Sequence, residues 1–217
     1  MERHSRELMR QLLKNQTSAA QAKGPLPYFT PSHILYAVMK IGDLGPIGRK
    51  RLSSEMLLGE GTIRTILNRL KKLNLVKESR RGYLLTTRGR RLYNEIISKV
   101  THPVDVDFET PLGSGHSVAV LIHTAAEKVR MGIEERDEAI RAGADGALVL
   151  VMQNGEIHMP KITNLSKERP KLASSIAENL KPVEGDVIII TSARDKITAR
   201  YSALAAALLL LKKDGGG

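Results

Sequence analysis

The sequence predicts two domains of different build. The first is an N-terminal, mostly α-helical domain closed by a small β-hairpin. The second is a C-terminal α+β domain, a two-layer stack of helices on a mixed or antiparallel sheet. Three observations lead there. Charge is split, because residues 1–103 hold 20 Lys/Arg against 7 Asp/Glu, while residues 104–217 hold 14 against 16. Hydrophobic spacing is helical through residues 31–73 and then turns to short runs around a polar tip. After His102-Pro103, apolar runs and amphipathic stretches alternate. The ranges are 1–29 for an N-terminal helix and linker, 30–102 for the first domain and 103–213 for the second.

Residues 1–17 carry Leu8, Met9, Leu12 and Leu13 on one stripe, and Gly24, Pro25 and Pro27 break the chain after them. Thr30-Pro31 is a cap with proline at the first helical position. The helix that follows buries Ile34, Leu35, Val38 and Met39 and stops near Gly42. A second helix is expected from about Pro46 to Met56 and a third from about Gly61 to Leu73, with a turn at Gly59. Leu75 to Lys77 and Gly82 to Thr86 read as strands joined by a hairpin. Thr87 can cap a fourth helix carrying Leu92, Ile96, Ile97 and Val100. In the second domain, strands are expected at 104–108, 117–123, 147–152, 156–159 and 186–191. Helices are expected at 134–142, 168–180 and 198–212. The last helix, apolar around most of its circumference from Ala203 to Leu211, must be buried in its own domain or against another subunit.

The informative stretch is 52–92. In the third helix Ile63, Ile66, Leu67, Leu70 and Leu73 share a face, and Thr62, Arg64, Thr65, Asn68 and Lys72 take the other. Such a face suits the major groove of duplex DNA: Arg bonds guanine bidentately, Asn bonds adenine, and Thr methyls pack on thymine. Arg49, Lys50 and Arg51 on the preceding helix are placed for backbone phosphates, and Arg80 and Arg81 at the hairpin tip for phosphates or a minor groove. The order of helix, helix, helix, strand, tip, strand and helix is that of a winged helix-turn-helix domain.

The residues also carry a resemblance. Gly61-Thr62-Ile63-Arg64, followed by Leu70-Lys71-Lys72-Leu73-Asn74-Leu75-Val76, is similar to the recognition helix and first wing strand of many bacterial and archaeal winged-helix regulators. Leu85-Thr86-Thr87-Arg88-Gly89-Arg90 resembles their second wing strand and closing helix. The whole chain resembles a group of archaeal transcription regulators that pair such a domain with an uncharacterised α+β domain. The second domain is similar to small antiparallel two-layer folds of the strand-strand-helix-strand-strand-helix type. The resemblance implies sequence-specific binding of double-stranded DNA and names no ligand.

The second half offers no active site. His116 and His123 fall at odd separation on one strand, so they face opposite ways and make poor partners for one metal. Gly113-Ser114-Gly115 is too short for a phosphate loop. Thr191, Ser192, Arg194 and Asp195, at a strand end before a helix, could hold a small anion; alternatively Asp195 caps that helix. No catalytic residue, metal or cofactor is assigned, and the protein is read as a non-enzyme. The absence of Cys fits a reducing cytoplasm. No signal peptide is visible, and the longest apolar stretch is too short to span a membrane. The expectation is a cytoplasmic, homodimeric DNA-binding transcription regulator, with a small-molecule effector as a candidate ligand of the second domain. The alternative is an RNA- or ribosome-associated module using the same basic face. Few exposed aromatics are available for base stacking, which favours duplex DNA.

Overall fold

The structure, a computed structural model, describes residues 29–113 and 115–213. The helix and linker expected over 1–29, with the Leu8 and Leu12 stripe, lie outside the described residues except for Phe29. The chain divides into two compact units between Ile97 and Ser98.

In the first unit, Thr30 opens helix α1 (Pro31–Leu44). Its amide donates to His33 Nδ1 at 3.0 Å, and its hydroxyl lies 2.7 Å from the same nitrogen. Histidine thus takes the place usually held by Glu or Gln in a capping box. Burial lowers the His33 pKa to about 4 from the usual 6.5. A group whose folded pKa is depressed in this sense holds the neutral form. The unfolded chain then binds the extra proton, so stability falls with pH between about 6.5 and about 4. The denaturation midpoint should drop through that window, and His33→Gln, which keeps an acceptor but does not titrate, should flatten the profile. Parallel profiles for the two proteins would show that His33 plays no part.

Helix α1 buries Ile34, Leu35, Val38, Met39 and Ile41 completely. Beyond it, Ile47 exchanges two backbone hydrogen bonds of 2.9 Å with Tyr83. That bridge delays α2 (Arg49–Met56), which starts later than the expected Pro46. Leu57, left-handed at φ 54°, caps α2, and Gly59 precedes α3 (Glu60–Lys72). Strands β1 (Val76–Ser79) and β2 (Gly82–Leu85) form an antiparallel pair in the register Ser79–Gly82 to Val76–Leu85. Gly82 has φ +121°, and a Cβ there would meet the Ile47 carbonyl at 2.5 Å. The cap of α4 (Thr87–Ile97) is Thr86 rather than Thr87: its Oγ1 accepts from the Gly89 amide at 3.0 Å and donates to the Asn74 carbonyl at 2.7 Å. Helix α4 ends at Ile97. Val100, expected on it, instead bridges Ile122 in the second unit.

The second unit is built on a six-stranded sheet: β3 (Val104–Asp105), β4 (His116–Ile122), β5 (Gly146–Gln153), β6 (Glu156–Met159), β7 (Thr163–Asn164) and β8 (Val187–Ala193). The order is β3-β4-β8-β5-β6-β7, and every pair is antiparallel. Helices α5 (Ile133–Arg141) and α8 (Lys196–Lys213) pack on one face. The other face carries Ala119, Leu121, Leu148, Leu150, Ile188 and Ile190. It is covered by Leu165 of α6 (Leu165–Glu168) and by Ala173 and Ile176 of α7 (Pro170–Leu180). The expected two-layer stack is therefore corrected to three layers. The cause is the continuous apolar run Val187-Ile188-Ile189-Ile190, which needs cover on both sides; all seven residues of β8 are buried. Two smaller corrections follow from local chemistry. Pro170 disfavours helical geometry at Arg169 and splits the expected 168–180 helix into α6 and α7. The expected strand 104–108 is regular only over Val104–Asp105; the Val106 amide still donates to the Ser117 carbonyl at 3.0 Å, and Val106 and Phe108 pack on the α7 side of the core.

Helix α8 is buried along its apolar length, with Ala203, Leu204, Ala206, Ala207 and Leu210 fully enclosed within the chain. Along that length Ala205 and Leu209 are half-buried and the rest is enclosed, so the helix leaves little apolar surface for a second subunit, which weakens one ground for a homodimer. The other ground, the Leu8 stripe, lies outside the described residues. No helix among the described residues is long and apolar enough to cross a membrane.

Candidate nucleic-acid interface

Helices α2 and α3 are joined by the three residues Leu57, Leu58 and Gly59. Helix α3 sinks Ile63, Ile66, Leu67 and Leu70 into the core, which turns Gly61, Arg64, Thr65, Asn68 and Lys72 outward, all exposed. Arg64 and Asn68 lie one turn apart. Thr65 Oγ1 donates to the Gly61 carbonyl at 3.1 Å. Thr62, expected on the same stripe, is half-buried at the flank. It stands two residues before Arg64, a rotation of about 200° on a helix.

Arg49, Lys50 and Arg51 are exposed in the first turn of α2. Gly48 provides no side-chain cap there, so the first amides of α2 stay open beside three cations, an arrangement suited to a phosphate. Sequence reasoning singled out the three basic residues and missed the glycine before them, whose signal was its lack of a capping side chain. Arg49 Nε lies 3.4 Å from Glu60 Oε2, tying α2 to the start of α3. Both side chains are about half exposed, so the pair contributes little stability. Glu60 also sets one negative charge at the end of α3 that leads the outward stripe. Arg80 and Arg81 are exposed at the two-residue tip between β1 and β2, shaped by Ser79, whose Oγ donates to the Gly82 carbonyl at 2.8 Å. Lys77, exposed on β1, adds a cation that the sequence reading left without a role. Lys71 is drawn into an ion pair with Glu78 at 3.2 Å.

The four residues considered for an anion in the second unit are not brought into one site. Thr191 and Ser192 alternate along β8 and face opposite layers. Thr191 Oγ1 donates to the Ala199 carbonyl at 2.7 Å, and Ser192 Oγ is buried behind Gly115 without a hydrogen-bond partner among the described residues. Asp195 caps α8: its carboxylate accepts from the Thr198 amide at 2.8 Å and the Thr198 hydroxyl at 2.7 Å, which holds its pKa below the usual value. Arg194 is exposed. His123 does have a partner, the buried Asp186, whose carboxylate lies 3.1 Å from Nδ1. Among the described residues no group of three or more potential ligands gathers to hold a metal.

Comparison with known proteins divides the chain as its two units do. Residues 43–91 match the model of the PH0730-like N-terminal domain, and residues 113–211 match a domain of unknown function, DUF4443. Among solved structures, the chain is similar to hypothetical protein PH0730 from Pyrococcus horikoshii OT3. The identity is 28% and the TM-score 0.67, over 86% of this chain and 95% of that one. No curated protein matches.

Proposed function

We propose that the first unit is a winged helix-turn-helix domain that binds duplex DNA and that the protein is a transcription regulator. The observation that carries this reading is the outward stripe Arg64, Thr65, Asn68 and Lys72 on α3, held by a short turn behind α2. In this reading α3 enters the major groove, and Gly61, with nothing within 4 Å of where its Cβ would be, lets the helix end come close to the bases. Arg49, Lys50 and Arg51 grip a phosphate at the open start of α2. Arg80 and Arg81 form the wing and contact the backbone or minor groove beside the site. One such unit reads a short half-site, so two chains related by a two-fold axis would read a full one.

Genomic mapping of the sites the protein occupies, followed by binding to the recovered duplex and to its transcript, tests the proposal. Preferential binding to a recurrent duplex motif supports it, and preferential binding to RNA overturns it. Light scattering reads the assembly: twice the chain mass of 23.9 kDa supports the dimer, and a monomer that retains specific binding removes it.

The wing gives a separate expected result. Arg80→Ala with Arg81→Ala should weaken binding to all duplexes alike. It should also flatten the dependence of log affinity on log salt by roughly two units of slope, because each phosphate contact releases about one counterion. An unchanged slope would show that the tip stays clear of DNA.

A further inference from the structure

We infer that the second unit binds a small anionic molecule, a phosphate ester or a carboxylate, in a cleft between the segment ending at Arg130 and the β6–β7 turn. The inference does not depend on the DNA-binding reading. The cleft has a volume of about 430 Å³, which lies in the range of small-molecule sites. Arg130 and Lys161 line it, and neither has an ion-pair partner among the described residues. No Asp or Glu lines it.

One polar atom at the cleft, His158 Nε2, is buried without a hydrogen-bond partner among the described residues. A buried polar group left unpaired is costly, and a ligand that supplies the missing partner recovers that cost. His158 lies opposite Val151 on β5, which lines the same cleft. Glu156 is the near carboxylate, with Oε2 3.9 Å from His158 Nε2, too far for a hydrogen bond. That oxygen already accepts from Asn164 Nδ2 at 2.7 Å and pairs with Lys167 Nζ at 3.4 Å.

The turn supports the same conclusion. Lys161 sits at φ 62°, a left-handed backbone that glycine or asparagine adopts more readily. Lys161 lines the cleft from that position. Ile162 beside it is 63% exposed, an apolar contact for the body of a ligand whose charged end meets Arg130 and Lys161. The donor set matches an anion with several acceptor oxygens: two cations and an imidazole nitrogen that donates in the appropriate tautomer.

The test is a titration of the full chain with inorganic phosphate and, separately, with succinate. The His158 imidazole resonances are followed at constant pH and at constant ionic strength balanced with chloride. A saturable shift with either probe is expected, and the stronger probe assigns the class of anion. Arg130→Ala with Lys161→Gly should weaken the response at least tenfold, and glycine at 161 relieves the backbone rather than straining it. The Arg80→Ala, Arg81→Ala protein should keep the full response, which separates this cleft from the basic face of the first unit. No saturable shift with either probe, or an equal shift in the Arg130/Lys161 variant, overturns the inference.

Discussion

Gly89→Ala should destabilise the first unit by about 1–3 kcal/mol, the usual cost of overpacking, because nothing nearby can yield. A Cβ on Gly89 would stand 2.0 Å from the Leu75 carbonyl oxygen and 2.9 Å from its carbon, both backbone atoms. Those atoms are held in place. The Leu75 carbonyl accepts from the Thr86 amide at 3.0 Å, and Thr86 in turn receives the Gly89 amide. The methyl would wedge α4 away from the start of β1 and break the cap that begins the helix. Ordinary helix propensity predicts the reverse sign, a gain of about 1 kcal/mol for alanine over glycine. Gly61→Ala provides that contrast, since nothing lies within 4 Å of its Cβ position and stability should rise by roughly 0.5–1 kcal/mol. Urea midpoints of the two variants should therefore move in opposite directions. A Gly89→Ala protein as stable as the parent would show that α4 and Leu75 are not in close contact.

On its preferred duplex, Arg64→Ala or Asn68→Ala should each cost about 1–3 kcal/mol of binding free energy, and far less on random duplex. The two side chains are exposed on the outward stripe of α3, one turn apart, and neither is engaged in an ion pair among the described residues. Removing them leaves the buried face Ile63, Ile66, Leu67 and Leu70 untouched, so folding is preserved and the loss reads recognition alone. Titrations by fluorescence anisotropy, on a duplex selected from a random pool and on a scrambled one, make the comparison. Equal losses on both would reassign Arg64 and Asn68 to phosphate contacts. Thr62→Ala should change little in either, because its side chain stands at the flank of the helix.

Much of the first unit was legible because its chemistry is local. A 3.6-residue period separated Ile63, Ile66, Leu67 and Leu70 from Arg64, Thr65 and Asn68 without any knowledge of tertiary contacts. The errors arose where two residues of equal chemistry compete or where a distant partner decides. Thr86 and Thr87 carry the same hydroxyl, and only the position of the Asn74 carbonyl selects the first as the cap. Ile47 reads as the start of a helix until Tyr83 claims it. In the second unit the strands themselves were readable, whereas the number of layers was not. Val187 to Ile190 announces a buried strand, but which elements cover each side depends on how residues far apart in sequence come together. The cleft at Arg130 and Lys161 was invisible for the same reason, since 31 residues separate its two cations. The four residues considered instead, Thr191 to Asp195, were neighbours in sequence, and strand alternation keeps such neighbours apart.

The place of β8 has a further consequence, for the order in which the second unit can form. Strands β4 and β5 are made early, yet neither borders the other; each pairs with β8, which the ribosome delivers some 34 residues after β5 ends. Until then the nascent chain holds two apolar ribbons, Val118 to Ile122 and Ala147 to Val151, with no seam to close them. Closure demands pairing across long stretches of sequence, which is slow, and an unfinished sheet exposes edges that invite association with other chains. The unit therefore locks from the inside outward and near the end of its synthesis, when the last strand slides between two that have been waiting for it.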